Sequence, residues 1–389
     1  MSFSAGVQRD LYYAEESAFG AGDNLDTMKE VRNKEDSISL GRDSFVSEEL
    51  RGDRGVHDMR LGNKQPSGDI ACEFSYESFD DFMLAGLGDV EWVDAFSALT
   101  VESTVVATAR TITRTSGNWL ADGVKVGDTL TIAMTGLTSD AIGKVESVTD
   151  TVITLAEGAT NLEDVTVAED ATITTDSKII KKGSTIHSFV IEKAFTDIDE
   201  YQLYSGGVVN TMSLELAPNA MITGSFGMLF KDGVNATDAY HIGTPASVST
   251  YRPFDGFSGY ILENGETLAH ASGVSISLDN GFNRNFVLMQ KTCPQMTIGK
   301  SNITGSVTLY FENSDIYNKF VNEIESALEF QLKDDLDNSY VVSLPRIKYS
   351  SAETPVPSGD AILNTMNFQA LDDVTEGTNI IIRKQPAIA

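Results

Sequence analysis

The sequence contains an internal repeat, and this feature limits the possible folds more than any other. Residues Ser37–Leu40 recur identically at Ser275–Leu278, at an offset of 238 (275 − 37). The stretch Gly62–Phe74 matches Gly299–Phe311 at an offset of 237 (299 − 62). Two matches at nearly the same offset indicate that the chain carries two copies of one domain. They are called copy one and copy two below.

The longer match has the alternation of a strand that turns one face to a core. Its aligned apolar positions are Ile70 with Val307, Cys72 with Leu309, and Phe74 with Phe311. Two further similarities are weaker, and both have an offset of 140 (328 − 188 and 362 − 222). They pair Ser188–Lys193 with Leu328–Lys333, and Ile222–Phe230 with Ile362–Ala370. We interpret them as further strands that the copies share.

A helix is predicted after the matched strand in each copy. In copy two Ser314 can cap a helix in which apolar residues recur every fourth position, namely Ile316, Phe320, Ile324 and Leu328. In copy one Ser78 occupies the cap, and Gly86 and Gly88 end the pattern. The predicted fold class is therefore mainly β (α+β), with an antiparallel β-sandwich or barrel and one flanking helix in each copy.

Copy one also contains a segment that copy two lacks. This segment is rich in Thr, Val and Gly, and short alternating runs such as Thr129–Ala133 and Thr151–Leu155 predict a small inserted β-barrel or sandwich. An insertion of this kind is tolerated in a loop. The predicted domains are 1–96 with 183–232 for copy one, 97–182 for the insert, 233–267 for a linker, and 268–389 for copy two.

The charge of the chain argues against nucleic-acid binding. Asp and Glu number 57 against 28 Lys and Arg, which gives a formal net charge of −29. Affinity for a phosphate backbone comes mainly from Lys and Arg, so tight DNA or RNA binding is not expected. The sequence shows no secretory signal and no apolar run of the roughly 20 residues that span a bilayer. With only two distant cysteines, Cys72 and Cys293, we expect a cytoplasmic product without disulfides.

The search for catalytic or ligand-binding motifs yields only weak candidates. The histidines His57, His187, His241 and His270 have no metal-ligand spacing. Gly20–Gly22 lacks the third glycine of a dinucleotide loop. The acidic run Asp334–Asn338 lacks the glycine and distal glutamate of a calcium loop and favours a turn. The pair Glu48-Glu49 is typical of a solvated surface. No enzyme activity, cofactor or metal is predicted.

Several motifs, in order along the chain, resemble a known family. In copy one they are Gln8–Glu16 followed by Phe19-Gly20, and Ser47–Arg54 leading into Arg60–Gly62 and Gly68–Ile70. In copy two they are Gly299, Gly305–Glu312, Leu344–Ile347 and Phe368–Leu371. Together they resemble the tail tube (major tail) proteins of long-tailed, siphovirus-like bacteriophages, in a duplicated two-domain form.

This resemblance implies a structural virion protein whose domains form six-membered rings that stack into the tail tube, the conduit for DNA ejection. A duplicated chain supplies two domains, so three chains would close a pseudo-hexameric ring. The implied partners are other copies of the chain, the tape measure protein, and the tail terminator and tip proteins. DNA would meet the tube only in transit, and no membrane is involved. The implied location is the virion tail.

Long hairpin arms are predicted at Gly41–Gly55 and Asp279–Gln295, and we expect them to become ordered on assembly. The candidate interface residues on them are Glu48, Glu49, Arg51, Asp53, Arg54 and Arg284. A strongly acidic channel wall would keep DNA mobile by repulsion.

The alternatives to this interpretation are proteins of other classes and other parts of the virion. They are a monomeric β-rich surface adhesin or carbohydrate-binding module, a β-rich hydrolase, a tail terminator, and the inner tube of a contractile tail.

Overall fold

The computed structural model describes residues 6, 9–49, 55–237, 246, 249–268, 270–311, 315–355, 359 and 361–388. The first part of copy one contains six strands, a 3-10 turn at Leu25–Thr27 and one helix. Their bounds are β1 Arg9–Glu15, β2 Lys29–Glu30, β3 Glu35–Asp36, β4 Ser39–Val46, β5 Met59–Glu73, α1 Asp80–Leu87 and β6 Val93–Asp94.

The inserted segment and the rest of copy one contain strands only. The insert consists of β7 Leu99–Val106, β8 Thr111–Arg114, β9 Thr129–Met134, β10 Ala141–Val148, β11 Val152–Leu155 and β12 Val165–Thr175. The strand β13 Lys178–Lys181 follows the barrel strands. Copy one then resumes with β14 Phe189–Phe195, β15 Glu200–Leu216, β16 Thr223–Leu229 and β17 Asp232–Thr237.

Copy two completes the chain. Its elements are β18 Ile261–Glu263, β19 Glu266–Thr267, β20 Ala271–Asp279, β21 Asn283–Asn285, β22 Gln295–Thr297, β23 Asn302–Tyr310, α2 Asp315–Val321, β24 Ser326–Lys333, β25 Ser339–Glu353, β26 Leu363–Ala370 and β27 Ile381–Gln385. The segment predicted to be a linker thus contributes strands: β17 lies along β15, and β18 pairs with β24.

The two copies have the same strand order, and every pairing is antiparallel. In copy one the order is β4, β5, β16, β15, β14, β1. In copy two it is β20, β23, β26, β25, β24, β18. The prediction of two copies of one mainly-β fold is therefore confirmed.

The repeat extends to register. Gly68 lies opposite Met228, and its counterpart Gly305 lies opposite Phe368, so the two offsets found in the sequence, 237 and 140, hold together. A β-bulge interrupts β15 between Val209 and Thr211, and an equivalent bulge interrupts β25 between Tyr349 and Ser351. Both glycines allow close strand approach, because a Cβ at Gly68 would lie 2.4 Å from the Ile38 backbone.

Two predicted details are wrong. Ile191 pairs with Tyr204 and Leu328 pairs with Leu344, so β14 and β24 correspond at an offset of 137 (328 − 191) rather than 140. The paired residues Ile191 and Tyr204 are 13 positions apart (204 − 191), whereas Leu328 and Leu344 are 16 positions apart (344 − 328). The three extra residues in copy two change the offset between the copies from 137 to 140. The predicted helix also extended too far. Helix α2 ends at Val321, and Leu328 belongs to β24, where it alternates with the other buried residues of that strand.

One hydrophobic core runs through both copies. Helix α1 contributes Phe82 and Met83, which pack with Phe74, Phe226 and the aromatic side chains around them. The same core continues through residues of copy two, including Val307, Phe330, Tyr340 and Phe368. Gly88 ends α1 at a φ of 67°, in the left-handed region, as the sequence pattern predicted.

The insert is a closed six-stranded barrel in the order β10, β11, β8, β7, β12, β9, with a core of its own around Trp119. It also docks on copy two. Asp128 and Arg383 form a buried ion pair of 2.5 Å, and the Gln385 side-chain amide donates to the Val126 carbonyl at 2.9 Å. The barrel is therefore fixed against copy two, although the chain enters and leaves it from copy one.

Candidate assembly interface

The copies meet in a continuous sheet rather than across a loose domain boundary. The second half of β15 pairs with β20 over six residue pairs, from Thr211 opposite Asp279 to Leu216 opposite Val274. The core side of this ladder is closed by Leu214, Ile276 and Leu278, all buried. The chain thus contains one complete example of a contact between two copies of its own domain, called the internal junction below.

The internal junction leaves one edge open at each end of the sheet. By the repeat, β4 with the residues just before it corresponds to β20, and the second half of β25 corresponds to the second half of β15. Among the described residues no strand pairs with the outer side of either. Ser37 donates its N–H to the Asp69 carbonyl, so the N–H and C=O of the next residue, Ile38, point away from β5.

The hairpin of β4 and β5 presents many apolar side chains to solvent. They are Leu40, Phe45, Val46, Val56, Met59 and Leu61, each at least 41% exposed. Scattered apolar residues are normal on a surface, but a cluster of this size on one hairpin marks a contact site. This hairpin contains the predicted arm of copy one, Gly41–Gly55, and extends beyond it on both sides.

The candidate residues on this arm can be placed only in part. Glu48 and Glu49 are exposed just beyond the end of β4. Arg51, Asp53 and Arg54 lie outside the described residues.

The arm of copy two folds back onto copy one. Strands β21 and β22 form a hairpin, and Phe282, Cys293 and Met296 pack there with Val208. Arg284 is held within the chain, where its guanidinium donates to the backbone carbonyls of Pro66 and Phe230. An arm of one copy therefore packs on the body of the next copy at the internal junction.

The face of the sheet opposite the core is lined by small hydroxyl side chains. Ser213 and Ser225 share a hydrogen bond of 2.8 Å across two strands, and Ser275 and Ser306 do the same. Acidic residues alternate with core residues and so fall on this face, namely Glu35, Asp69, Glu73, Glu215, Asp279 and Glu353. Lys34 lies beside these serines in a shallow groove on the same face. The result is a hydrophilic, mainly acidic sheet face.

The weak ligand motifs have structural roles. The backbone N–H groups of Gly20 and Gly22 donate to the Glu16 carboxylate at 2.8 and 2.9 Å, so a side chain of the protein occupies this loop. Asp334 accepts from the N–H groups of Leu336 and Asn338, which makes the acidic run a turn.

Both cysteines are buried, and burial raises the pKa of Cys72 to about 12. Within the described ranges, no cluster of His, Cys, Asp and Glu side chains could hold a metal ion. None of the helices that the structure describes has the length and apolar character to cross a membrane.

Comparison with known protein families supplies the assignment. A family model described as "Phage tail tube protein" matches residues 6–177 and matches again at residues 167–370. The chain belongs to this family of phage tail tube proteins. A search of curated proteins found no match.

Two matches of the family model to one chain agree with the duplicated form that the repeat predicts. This tail tube protein is a structural component of the phage tail, it is located in the tail of the virion, and it self-assembles into a tube. The unpaired sheet edges and the apolar arm are therefore the candidate surfaces for contacts between chains.

Proposed function

We propose that three chains close a ring of six equivalent domains, and that such rings stack into the tube of a siphovirus-like tail through which DNA is ejected. The internal junction is the observation that carries this proposal. A chain that joins its own two copies through β15 and β20 leaves the matching edges, β25 and β4, free at its two ends. A contact that repeats by rotation continues until it closes on itself.

The repeat offsets give the register of the contact between chains. Adding 140 to the β15 positions and subtracting 238 from the β20 positions converts the internal ladder into a ladder between chains. Ala352 then lies opposite Leu40 of the next chain, Glu353 opposite Ser39, and Thr354 opposite Ile38. The N–H and C=O groups of Ile38 point outward, as a new strand partner requires.

Ring closure also explains the exposed arm. At the internal junction an arm packs on the next copy, so the copy-one arm would pack on a neighbouring chain. That contact would bury Phe45, Met59 and their apolar neighbours, and each large side chain would contribute about 1.5–3 kcal/mol to assembly. The candidate residues Glu48, Glu49, Arg51, Asp53 and Arg54 fall within the sequence range predicted for this arm, Gly41–Gly55, and are proposed to contact the neighbour. Arg284 would keep its position inside the chain.

The hydroxyl-rich, acidic sheet face is proposed to line the channel. Repulsion between its carboxylates and the phosphate backbone would keep DNA mobile, since binding to DNA requires cationic partners. DNA would therefore pass through the channel without binding tightly to its wall. The tape measure protein would occupy the same channel before ejection, and the terminator and tip proteins would contact the two ends of the tube.

The division of the chain follows from this arrangement. We propose 1–96 with 183–232 as the first tube domain, 97–182 as a decorating insert, 233–267 as the connection, and 268–389 as the second tube domain. In this arrangement the insert projects away from the channel, because a barrel hung on a loop would otherwise block the passage.

A pair of cysteines tests the register of the ring contact. Glu353→Cys combined with Ser39→Cys places two thiols on the same face of the proposed ladder, opposite each other, at a spacing suited to a disulfide. Mild oxidation of assembled protein should then link chains covalently, and non-reducing gels should show dimers and trimers. The native Cys72 and Cys293 are buried and remain in place.

Two matched pairs serve as controls. Ser213→Cys with Ser277→Cys occupies the same positions in the internal junction, where the residues pair directly. This pair should close within one chain and give only monomers. Ser351→Cys with Ser39→Cys is shifted by two residues and should cross-link poorly. Equal cross-linking of the shifted pair, or none of the first pair in assembled material, would contradict the proposed register.

A further inference from the structure

The open edge of copy one is covered by side chains at the position where the next chain would pair. The Ile38 N–H donates to Asp36 Oδ1 at 3.2 Å, and the Ile38 carbonyl accepts from Lys193 Nζ at 3.1 Å. Both outward backbone groups of Ile38 are therefore satisfied without a partner strand. Inward-pointing charged side chains are a recognised way to protect a sheet edge from pairing.

These side chains belong to a buried cluster of charges. The Asp36 side chain is fully buried, and it forms ion pairs with Arg9 and, at 2.6 Å, with Lys193. Burial and the nearby charge of Arg9 lower the pKa of Lys193 to about 8. A buried ion pair commonly contributes less to stability than apolar residues of similar volume, so its presence suggests a role other than stability.

The corresponding positions of copy two carry no charge. The repeat aligns Asp36 with Val274 and Lys193 with Phe330, both buried apolar residues. The pairing of β1 with β14 and of β18 with β24 aligns Arg9 with Gly259. Copy two forms its edge contact inside the chain, where the partner is always present. Of these two equivalent edges, only that of copy one carries the charged cluster. This is the edge whose strand partner would come from another chain.

We propose that Lys193 and Asp36, held in place by Arg9, form an edge guard that delays ring closure. The guard mimics a strand partner for Ile38 in the free chain, and Thr354 of the next chain displaces it during assembly. This inference rests on the proposed ring contact. The guard therefore keeps the edge of copy one from pairing with unrelated strands until β25 of the next chain is correctly aligned with it.

The substitution Lys193→Met tests the guard, because it keeps much of the side-chain volume and removes the donor to Ile38. Loss of a charged hydrogen bond that competes with assembly should lower the protein concentration needed for assembly about tenfold and shorten the lag. The readout is light scattering during assembly, with microscopy to identify tubes. Lys231→Met is the matched control, since Lys231 also donates to a backbone carbonyl, that of Gly20, away from the edge. It should assemble like the wild type.

A second variant covers the case in which Asp36 destabilises the Lys193→Met protein. The triple change Arg9→Met, Asp36→Val and Lys193→Met removes the whole charged cluster, so it leaves no buried charge uncompensated, and it should also assemble faster. Thermal unfolding establishes that each variant is folded before assembly. Wild-type lag and threshold in both folded variants would overturn the guard.

The cysteine pair Glu353→Cys with Ser39→Cys separates this failure from a failure of the ring contact. If that pair links chains while the guard variants behave as wild type, the ring contact stands and the guard is wrong. If the pair never links assembled chains, both inferences fall together.

Discussion

Alanine at Asp128 is expected to lower the free energy of unfolding by about 3–5 kcal/mol, the cost of leaving one partner of a buried ion pair uncompensated. The Asp128 and Arg383 side chains are 0% and 8% exposed and lie 2.5 Å apart. Asp128 also accepts from the Gln385 side chain and from the Lys125 N–H. After substitution Arg383 would keep the Gly123 carbonyl as a partner, which does not balance its charge. Denaturant unfolding of the purified chain measures the loss.

Glu146→Ala is the matched control in the same barrel. Glu146 pairs with Arg110 at 3.5 Å on the exposed surface, where an ion pair contributes about 0–1 kcal/mol. A loss below about 1 kcal/mol for Asp128→Ala, equal to that of the control, would show that the barrel is not anchored through this pair.

The same contact predicts that the insert cannot be removed without an effect on copy two. Removing 97–182 would also remove β13, which pairs with β27 of copy two and with β6. It would leave Arg383 and Gln385 uncovered. The deletion is therefore expected to destabilise copy two, and a shorter deletion that ends before β13 would need Arg383 replaced as well.

Proline at Ala352 is expected to abolish ring formation while the chain still folds. In the proposed ladder the Ala352 N–H pairs with Leu40 of the next chain, and proline has no N–H to donate. Proline is tolerated on the open side of an edge strand, so the pairing of β25 with β26 should survive. Size-exclusion chromatography and electron microscopy measure assembly, and circular dichroism measures folding.

Ala352→Ser keeps the N–H and is the control that should assemble normally. Rings formed by folded Ala352→Pro protein at the wild-type concentration would show that β25 does not carry the contact between chains.

The sequence predicted those parts of the fold that depend on nearby residues. The match of Gly62–Phe74 with Gly299–Phe311 identified equivalent strands, and the alternation of Ile70 and Cys72 identified their core face. Prediction of α2 was less accurate, because a four-residue spacing of apolar residues continued from the helix through Ile324 to Leu328 in the next strand. Local periodicity cannot show where one element ends, because apolar residues can keep the same spacing across a helix end, a loop and the next strand.

Long-range polar contacts were not predictable in this way. Asp128 and Arg383 are 255 residues apart, and neither lies in a motif that points to the other. The charged edge of copy one did leave a signal, since extending the match of Ser37–Leu40 by one residue sets Asp36 against Val274. When a repeat aligns a charged residue of one copy with a buried apolar residue of the other, the two copies have different neighbours at that position.

The central claim is that three duplicated chains close one ring, and native mass measurement of assembled protein tests it most directly. Each chain has a mass of 42.0 kDa and a formal charge of −29, so chains repel one another until salt shortens the reach of that repulsion to about 8 Å at physiological ionic strength. We predict closed species of three chains, more abundant at high salt than at low salt. Rings of six chains, or a monomer at every concentration and salt level, would contradict this account.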